Sequence, residues 1–247
     1  MKTTSPPTAS TANLRIVKRP SDERGRAEHG WLHSRFSFSF AEYHDPAHMG
    51  YRSLRVINDD FIEPGKGFGM HPHQSMEIFT YVIEGSLEHQ DSMGNGRVIK
   101  AGEFQYMSAG SGVMHSEFNP SSDEQTHLLQ IWIFPEKPGG EPRYADADPS
   151  SRRVTDGLTL LASPDGRDES MAMRQQAMIA FGDLGAGKSL EVSATVSPEG
   201  HFWIQMIQGE LTIGEETFVA GDGGVIEGGN FSITANEASE FLLFELH

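Results

Sequence analysis

Four residues carry the chemistry this sequence offers. His71 and His73 flank a proline, and His115 and Glu117 flank a serine. In an extended strand, residues two apart share a face, so each pair points its side chains the same way. Two adjacent antiparallel strands would bring the pairs together, setting three imidazole nitrogens and one carboxylate oxygen around a cation. With no thiolate, this donor set disfavours copper(I) and iron–sulfur chemistry and suits one divalent ion of Fe(II), Mn, Co, Ni, Cu(II) or Zn. Four protein ligands leave two positions of an octahedral ion open to substrate or dioxygen. Intrinsic affinity favours copper and zinc, so the ligands alone do not name the metal.

Elements able to hold such pairs are plentiful. Short runs rich in β-branched and aromatic residues (MEIFTYVIEG, LLQIWIF, FWIQMIQGELTIG, FLLFEL) alternate with Gly- and Pro-rich turns, and long helical periodicity is scarce. This pattern predicts an all-β protein of barrel or sandwich type. The chain also repeats itself. Ile83-Glu84-Gly85-Ser86-Leu87 followed by Ala101-Gly102-Glu103-Phe104 returns as Ile207-Gln208-Gly209-Glu210-Leu211 followed by Ala220-Gly221-Asp222-Gly223. Two copies of one small barrel are expected, over residues 14–135 and 153–247, joined by a polar, Pro/Gly-containing linker at 136–152. Residues 1–13 are rich in Ser, Thr and Pro and read as a disordered tail without a signal-peptide core.

Composition narrows the function classes. The chain has 247 residues and no cysteine, which excludes disulfides, thiolate metal sites and cysteine nucleophiles. It fits a reducing, cytoplasmic compartment. A formal charge of −16 argues against direct contact with nucleic acid or an anionic membrane, while leaving a protein partner open. No stretch approaches the roughly 20 apolar residues of a membrane span.

At the histidine pairs a family likeness emerges. Gly65, His71, His73, Glu77 and Gly85 resemble the first cupin motif, and Gly102, Ser108-Ala109-Gly110, His115 and Asn119 resemble the second. HPHQSMEIFTYVIEGSLEHQDSMGN with GEFQYMSAGSGVMHSE is similar to the pirin family, and within it to bacterial pirins described as quercetin 2,3-dioxygenases. The resemblance runs from about Leu14 to the C-terminus and is strongest between Gly30 and Tyr144. It implies a bicupin of two tandem jelly-roll-type barrels with iron, as Fe(II), in the first, bound by His71, His73, His115 and Glu117. It further implies a small aromatic substrate, a flavonol such as quercetin, cleaved with O2 to release carbon monoxide, with Glu117 as general base. Pirins outside bacteria resemble iron-dependent transcriptional cofactors, which supplies a regulatory alternative without turnover. Many other cupins ligate through the first-motif glutamate. Glu77 shares parity with the histidines and is therefore a candidate to support the ligands or to replace one of them.

In the second copy Thr195, Ser197 and Thr234 fall where the histidines would be, and His201 falls at the Glu77 position. That barrel is expected to be metal-free. Phe68, Met70 and Met107 are candidates to line a pocket for a flat aromatic substrate. Met76, Met114, Phe79 and Phe104 are expected in the barrel core. His89 and His127 are candidates to support the ligands but are read first as surface or core residues, Trp31 and His33 as packing, and Asp146 and Asp148 as part of a solvated linker.

Overall fold

The central strands are apolar almost throughout, and their surroundings explain why. A computed structural model describes residues 14–247; the tail expected at 1–13 lies outside the described residues. In strand Glu77–Glu84, Phe79 and Tyr81 point one way and Ile78, Thr80 and Val82 the other, and both faces are buried. Strands His201–Gln208 and Ser239–Leu246 are buried on both sides in the same manner. Such strands have no solvent face on which to carry polar residues, so strict alternation disappears.

Each half pairs a seven-stranded sheet with a four-stranded one. In the first half the small sheet runs in the order Gly67–His73, Val113–Phe118, Ser86–Asp91, Gly96–Lys100. The centre of its large sheet is Phe104–Ser108, Glu77–Glu84, Thr126–Ile133, Leu54–Ile62 and Leu32–Phe36. The second half repeats this build, with Ser189–Ser193, Asn230–Ala235, Glu210–Ile213 and Glu216–Val219 as its small sheet. The two large sheets pack face to face. One core cluster mixes Phe79, Phe104 and Ile131 of the first half with Phe181, Trp203 and Phe244 of the second. The all-β, two-barrel expectation is borne out. Among the described residues no helix is long and apolar enough to cross a membrane.

Two expected boundaries move. Strand Arg15–Arg19 pairs with Gly223–Glu227 and so belongs to the second half's sheet, not to a unit spanning 14–135. The stretch 136–152 is more than a linker, because Arg143–Ala147 pairs with Phe104–Ser108 in the first half's sheet. Asp146, read as solvated, bonds Arg97 at 2.6 Å, and Asp148 caps a short 3-10 helix at Pro149–Arg152. The reason is the same in both places. A sheet edge presents unpaired N–H and C=O groups that a passing segment can satisfy, whatever its composition suggests.

The two barrel interiors differ in kind. The second is filled by one apolar cluster that includes Phe202, Ile204, Leu211 and Phe218. The inward residues of its small-sheet strands are Leu190, Val192, Phe231 and Ile233, which have no lone pairs to offer a cation. Thr234 faces outward, 2.9 Å from the Ser189 hydroxyl, and the Thr195 hydroxyl donates to Glu245 at 2.8 Å. His201 packs at the junction of the halves against Tyr51 and Arg52. In the first barrel two smaller apolar clusters, around Val82 and around Met107, leave a polar zone with Thr80, Gln105, Gln130 and Glu117.

Candidate metal centre

Strands Gly67–His73 and Val113–Phe118 lie side by side and antiparallel, with His115 directly opposite His71. The three histidine rings form a triangle, with centroids 4.8 Å (His71–His73), 4.4 Å (His71–His115) and 4.8 Å (His73–His115) apart. Between His115 and Glu117 the register slips by one residue, placing Glu117 opposite Phe68. This bulge re-aims the start of the strand. Phe68 thereby lines the same cavity as His71, although plain alternation would put them on opposite faces.

Gly67 permits the close approach. A Cβ there would sit 2.2 Å from the Glu117 carbonyl oxygen and 2.5 Å from the Phe118 Cα. Gly67→Ala is expected to push the Glu117 strand outward and weaken divalent-metal affinity by about tenfold or more. Metal titration of the variant checks this; wild-type affinity would show that strand spacing is not set at Gly67.

His71 Nδ1–H donates to the Gly69 carbonyl at 2.8 Å, which leaves the Nε2 lone pair free. His115 is 1% exposed, and neither of its ring nitrogens has a partner. An unsatisfied buried polar group costs about 1–3 kcal/mol, so this imidazole is poorly placed unless a ligand satisfies it. A divalent transition metal would do so, and the donor set fits one. Burial, reinforced by the neighbouring histidines, pushes His115 down to about 3 and His73 down to about 4. Both rings are therefore neutral at ordinary pH, the form that ligates metal.

These shifts fix a pH dependence for the metal-free protein. Below the ordinary histidine value of 6.5 the unfolded chain takes up protons that the folded chain refuses. Stability is thus fully present above that value and falls on acidification, until His73 and then His115 protonate within the fold. His115 alone should contribute a slope of about 1.4 kcal/mol per pH unit, with less from the half-buried His73. Denaturant unfolding at a series of pH values checks this, and a flat profile below 6.5 would contradict it.

Glu117 is oriented by amide donors, Gln130 Nε2 at 2.8 Å and Gln105 Nε2 at 3.2 Å, with the Thr80 hydroxyl at 3.3 Å. The ligand atoms of His71, His73 and His115 lie within 4.8 Å of one another, and so do those of His89, His115 and Glu117. The four expected residues thus meet in one cavity as two overlapping triads that share His115. His89, read first as a surface or core residue, is buried and is also a member of the second triad. Its ring is 5.3 Å from His115, stacks 4.7 Å from Tyr144, and stands across from Glu117.

Glu77 lies elsewhere. Its parity argument assumed an unbroken strand from His73, but Ser75 has φ 51° and the chain turns before Glu77 begins a new strand. The buried carboxylate accepts from the Tyr106 hydroxyl, the Ser108 hydroxyl at 2.6 Å and the Arg174 backbone N–H at 2.9 Å. It ties the first half to the second and is not a ligand candidate.

The cavity above the histidines measures about 1080 Å³ and is walled by aromatic side chains, among them Trp31, Phe36, Phe40, Phe68 and Trp132. Met70 and Met107 do not line it. Met70 is on the outward face of its strand and 52% exposed, while Met107 is buried against Ile78, Ala109 and Val113. Met114 is likewise exposed. His127 lies on the far side of the sheet, stacked on Phe61 and bonded to Asp59 at 2.6 Å, and His33 meets Glu28. Asn58, Asp60 and Gln130 line the cavity and went unnoticed in the sequence. The available signal was polar residues interrupting buried strands, NDD within Leu54–Ile62 and Gln130 within Thr126–Ile133. Burial pushes Asp60 up to about 7, against a lowering hydrogen bond from Ser34.

A two-barrel β fold with a histidine-lined cavity in its first barrel defines a bicupin. The sequence matches the Pirin family over residues 17–133 and the quercetinase C-terminal cupin domain over 160–246. It is 49% identical, over 94% of this chain and 98% of the relative, to a quercetin 2,3-dioxygenase of Escherichia coli strain K12. The crystal structure of the E. coli pirin YhhW in complex with nickel(II) superposes with TM-score 0.89 at 47% identity, covering 94% of this chain and 99% of that one. A quercetin 2,3-dioxygenase structure from Acinetobacter baumannii shares the fold at TM-score 0.73 and 20% identity, covering 90% and 83%. The chain belongs to the pirin family.

Proposed function

We propose that the protein is a metal-dependent dioxygenase that cleaves a flavonol such as quercetin with O2 and releases carbon monoxide. The observation that carries this reading is His115, an unpartnered buried imidazole in a histidine triangle lining an aromatic-walled cavity. The relatives named as quercetin 2,3-dioxygenases support the same reaction. His71, His73, His115 and Glu117 are the proposed ligands of one divalent metal. Fe(II) is the first choice; Mn, Co, Cu, Zn and the Ni(II) held by the E. coli relative suit the same donors.

When bound, the metal supplies open coordination positions and redox capacity. The chain's own residues do the rest. Aromatic walls orient a flat ring system and exclude water from it. Glu117 accepts the proton of the hydroxyl beside the flavonol carbonyl, and Gln105 and Gln130 keep its carboxylate aimed. Both atoms of O2 remain in the depside product, and the hydroxyl-bearing ring carbon departs with its oxygen as carbon monoxide. The first barrel houses this chemistry, and the second acts as its structural partner. A chain without cysteine suits a reducing cytoplasm.

Oxygen uptake with stoichiometric carbon monoxide release by iron-loaded protein is the expected result. No turnover with any of the six metals would end the dioxygenase reading. Capture of a protein partner only by metal-loaded, turnover-free protein would favour the regulatory alternative, which the apolar interior of the second barrel also suits.

A further inference from the structure

Two buried oxygens in the cavity wall have nothing to bond. Asn58 and Asp60 are successive inward residues of strand Leu54–Ile62, 3% and 4% exposed, and both line the cavity that contains His71 and His115. The Oδ1 atom of each lacks a partner. The polar groups beside them are engaged, since Gln130, Gln105 and Thr80 all donate to Glu117. Gln130 stands across from Asn58, and Ser34 across from Asp60. Asn58 thus extends the polar group around Glu117 outward, Asp60 lies one step further along the same strand, and beyond the Ser34 bond to Asp60 the Oδ1 atoms of both stay unpaired.

Barrel-interior positions ordinarily carry apolar side chains, because an unpaired buried oxygen costs free energy. In the second barrel the interior is apolar throughout its cluster. Retaining two unpaired acceptors in the first barrel makes physical sense if a bound molecule brings donors to them. The aromatic walls select a flat ring, and its rim is where hydroxyl donors would sit.

We propose that Asn58 and Asp60 accept hydrogen bonds from ring hydroxyls of a polyhydroxylated aromatic substrate, remote from the hydroxyl that faces the histidines, and thereby select for hydroxylated rings. This rests on the flavonol reading above and names the residues that set its specificity.

Trp31 and Trp132 line the cavity, so quenching of their fluorescence reports occupancy in metal-loaded, oxygen-free protein. The ligands to compare are quercetin and the flavonol that keeps only the 3-hydroxyl. Wild type should bind quercetin the more tightly. Asn58→Leu and Asp60→Leu, close in shape but without acceptors, should each weaken quercetin about five- to tenfold and leave the analogue unchanged. The Tm of Asn58→Leu should be unchanged or higher, since an unpaired oxygen has been removed, whereas Asp60→Leu also gives up the Ser34 bond and should show a small drop; turnover of both should show a raised KM for quercetin at constant kcat. Asp60→Asn conserves shape and should give a smaller loss in the same direction. Variants that lose Tm and weaken both ligands equally would assign these residues a structural role and overturn the proposal. So would unchanged quercetin affinity, or a wild type that does not discriminate. Wild-type protein that binds neither flavonol would instead sink the flavonol reading itself.

Discussion

His115→Ala is expected to strip the protein of its metal and lower kcat/KM by more than about 100-fold, the least that loss of a direct ligand should cost when supporting residues cost up to that much. His115 belongs to both candidate triads, so no rearrangement of the other three proposed ligands compensates for its loss. His71 and His73 are partly exposed and could be replaced in part by water, whereas His115 is buried. A stability signature separates loss of a ligand from loss of folding. In metal-free protein, His115→Leu should be at least as stable as wild type, because it removes two unpaired ring nitrogens from the interior. In metal-loaded protein the order should reverse, since metal binds the folded state only. Metal analysis, thermal unfolding with and without metal, and oxygen uptake together check this. A His115→Ala protein that retains stoichiometric metal would refute the assignment.

Glu77→Ala should cost about 3–5 kcal/mol of folding stability without removing the metal. The carboxylate collects three donors, from Tyr106, Ser108 and the Arg174 backbone, at 1% exposure. Truncation leaves all three donors buried and unpaired at the seam between the halves. Glu77→Gln, which keeps one amide oxygen, should cost less. Denaturant unfolding measures the loss, and metal titration distinguishes a tie between halves from a ligand. Loss of metal with stability intact would restore Glu77 to the centre.

The meeting of the four proposed ligands in one cavity was legible because it depends on one robust rule, that residues two apart in a strand share a face. His71 with His73, and His115 with Glu117, obey it. The rule failed wherever the strand did. A turn with Ser75 at positive φ rotated Glu77 away, and a bulge brought Phe68 in while Met70 stayed out. His89 and Asn58 were hidden for another reason. Their roles come from strands that are neighbours in the sheet but distant in sequence, and single-chain patterns carry no register. The repeat revealed two barrels but not which sheet each edge strand would join, because edge pairing follows from backbone groups common to every residue.

The pairing of Arg15–Arg19 with Gly223–Glu227 has a consequence for how the molecule is made. During synthesis this strand finds its neighbour only after the 212 residues that separate Arg15 from Glu227 have been added. The first barrel can close early around its histidines, but the seam cannot be stitched until the second half's strands have been made, a long-range step of the slow kind. Expressing either half by itself would leave this strand or its docking edge bare, a template for self-association instead of a working fragment.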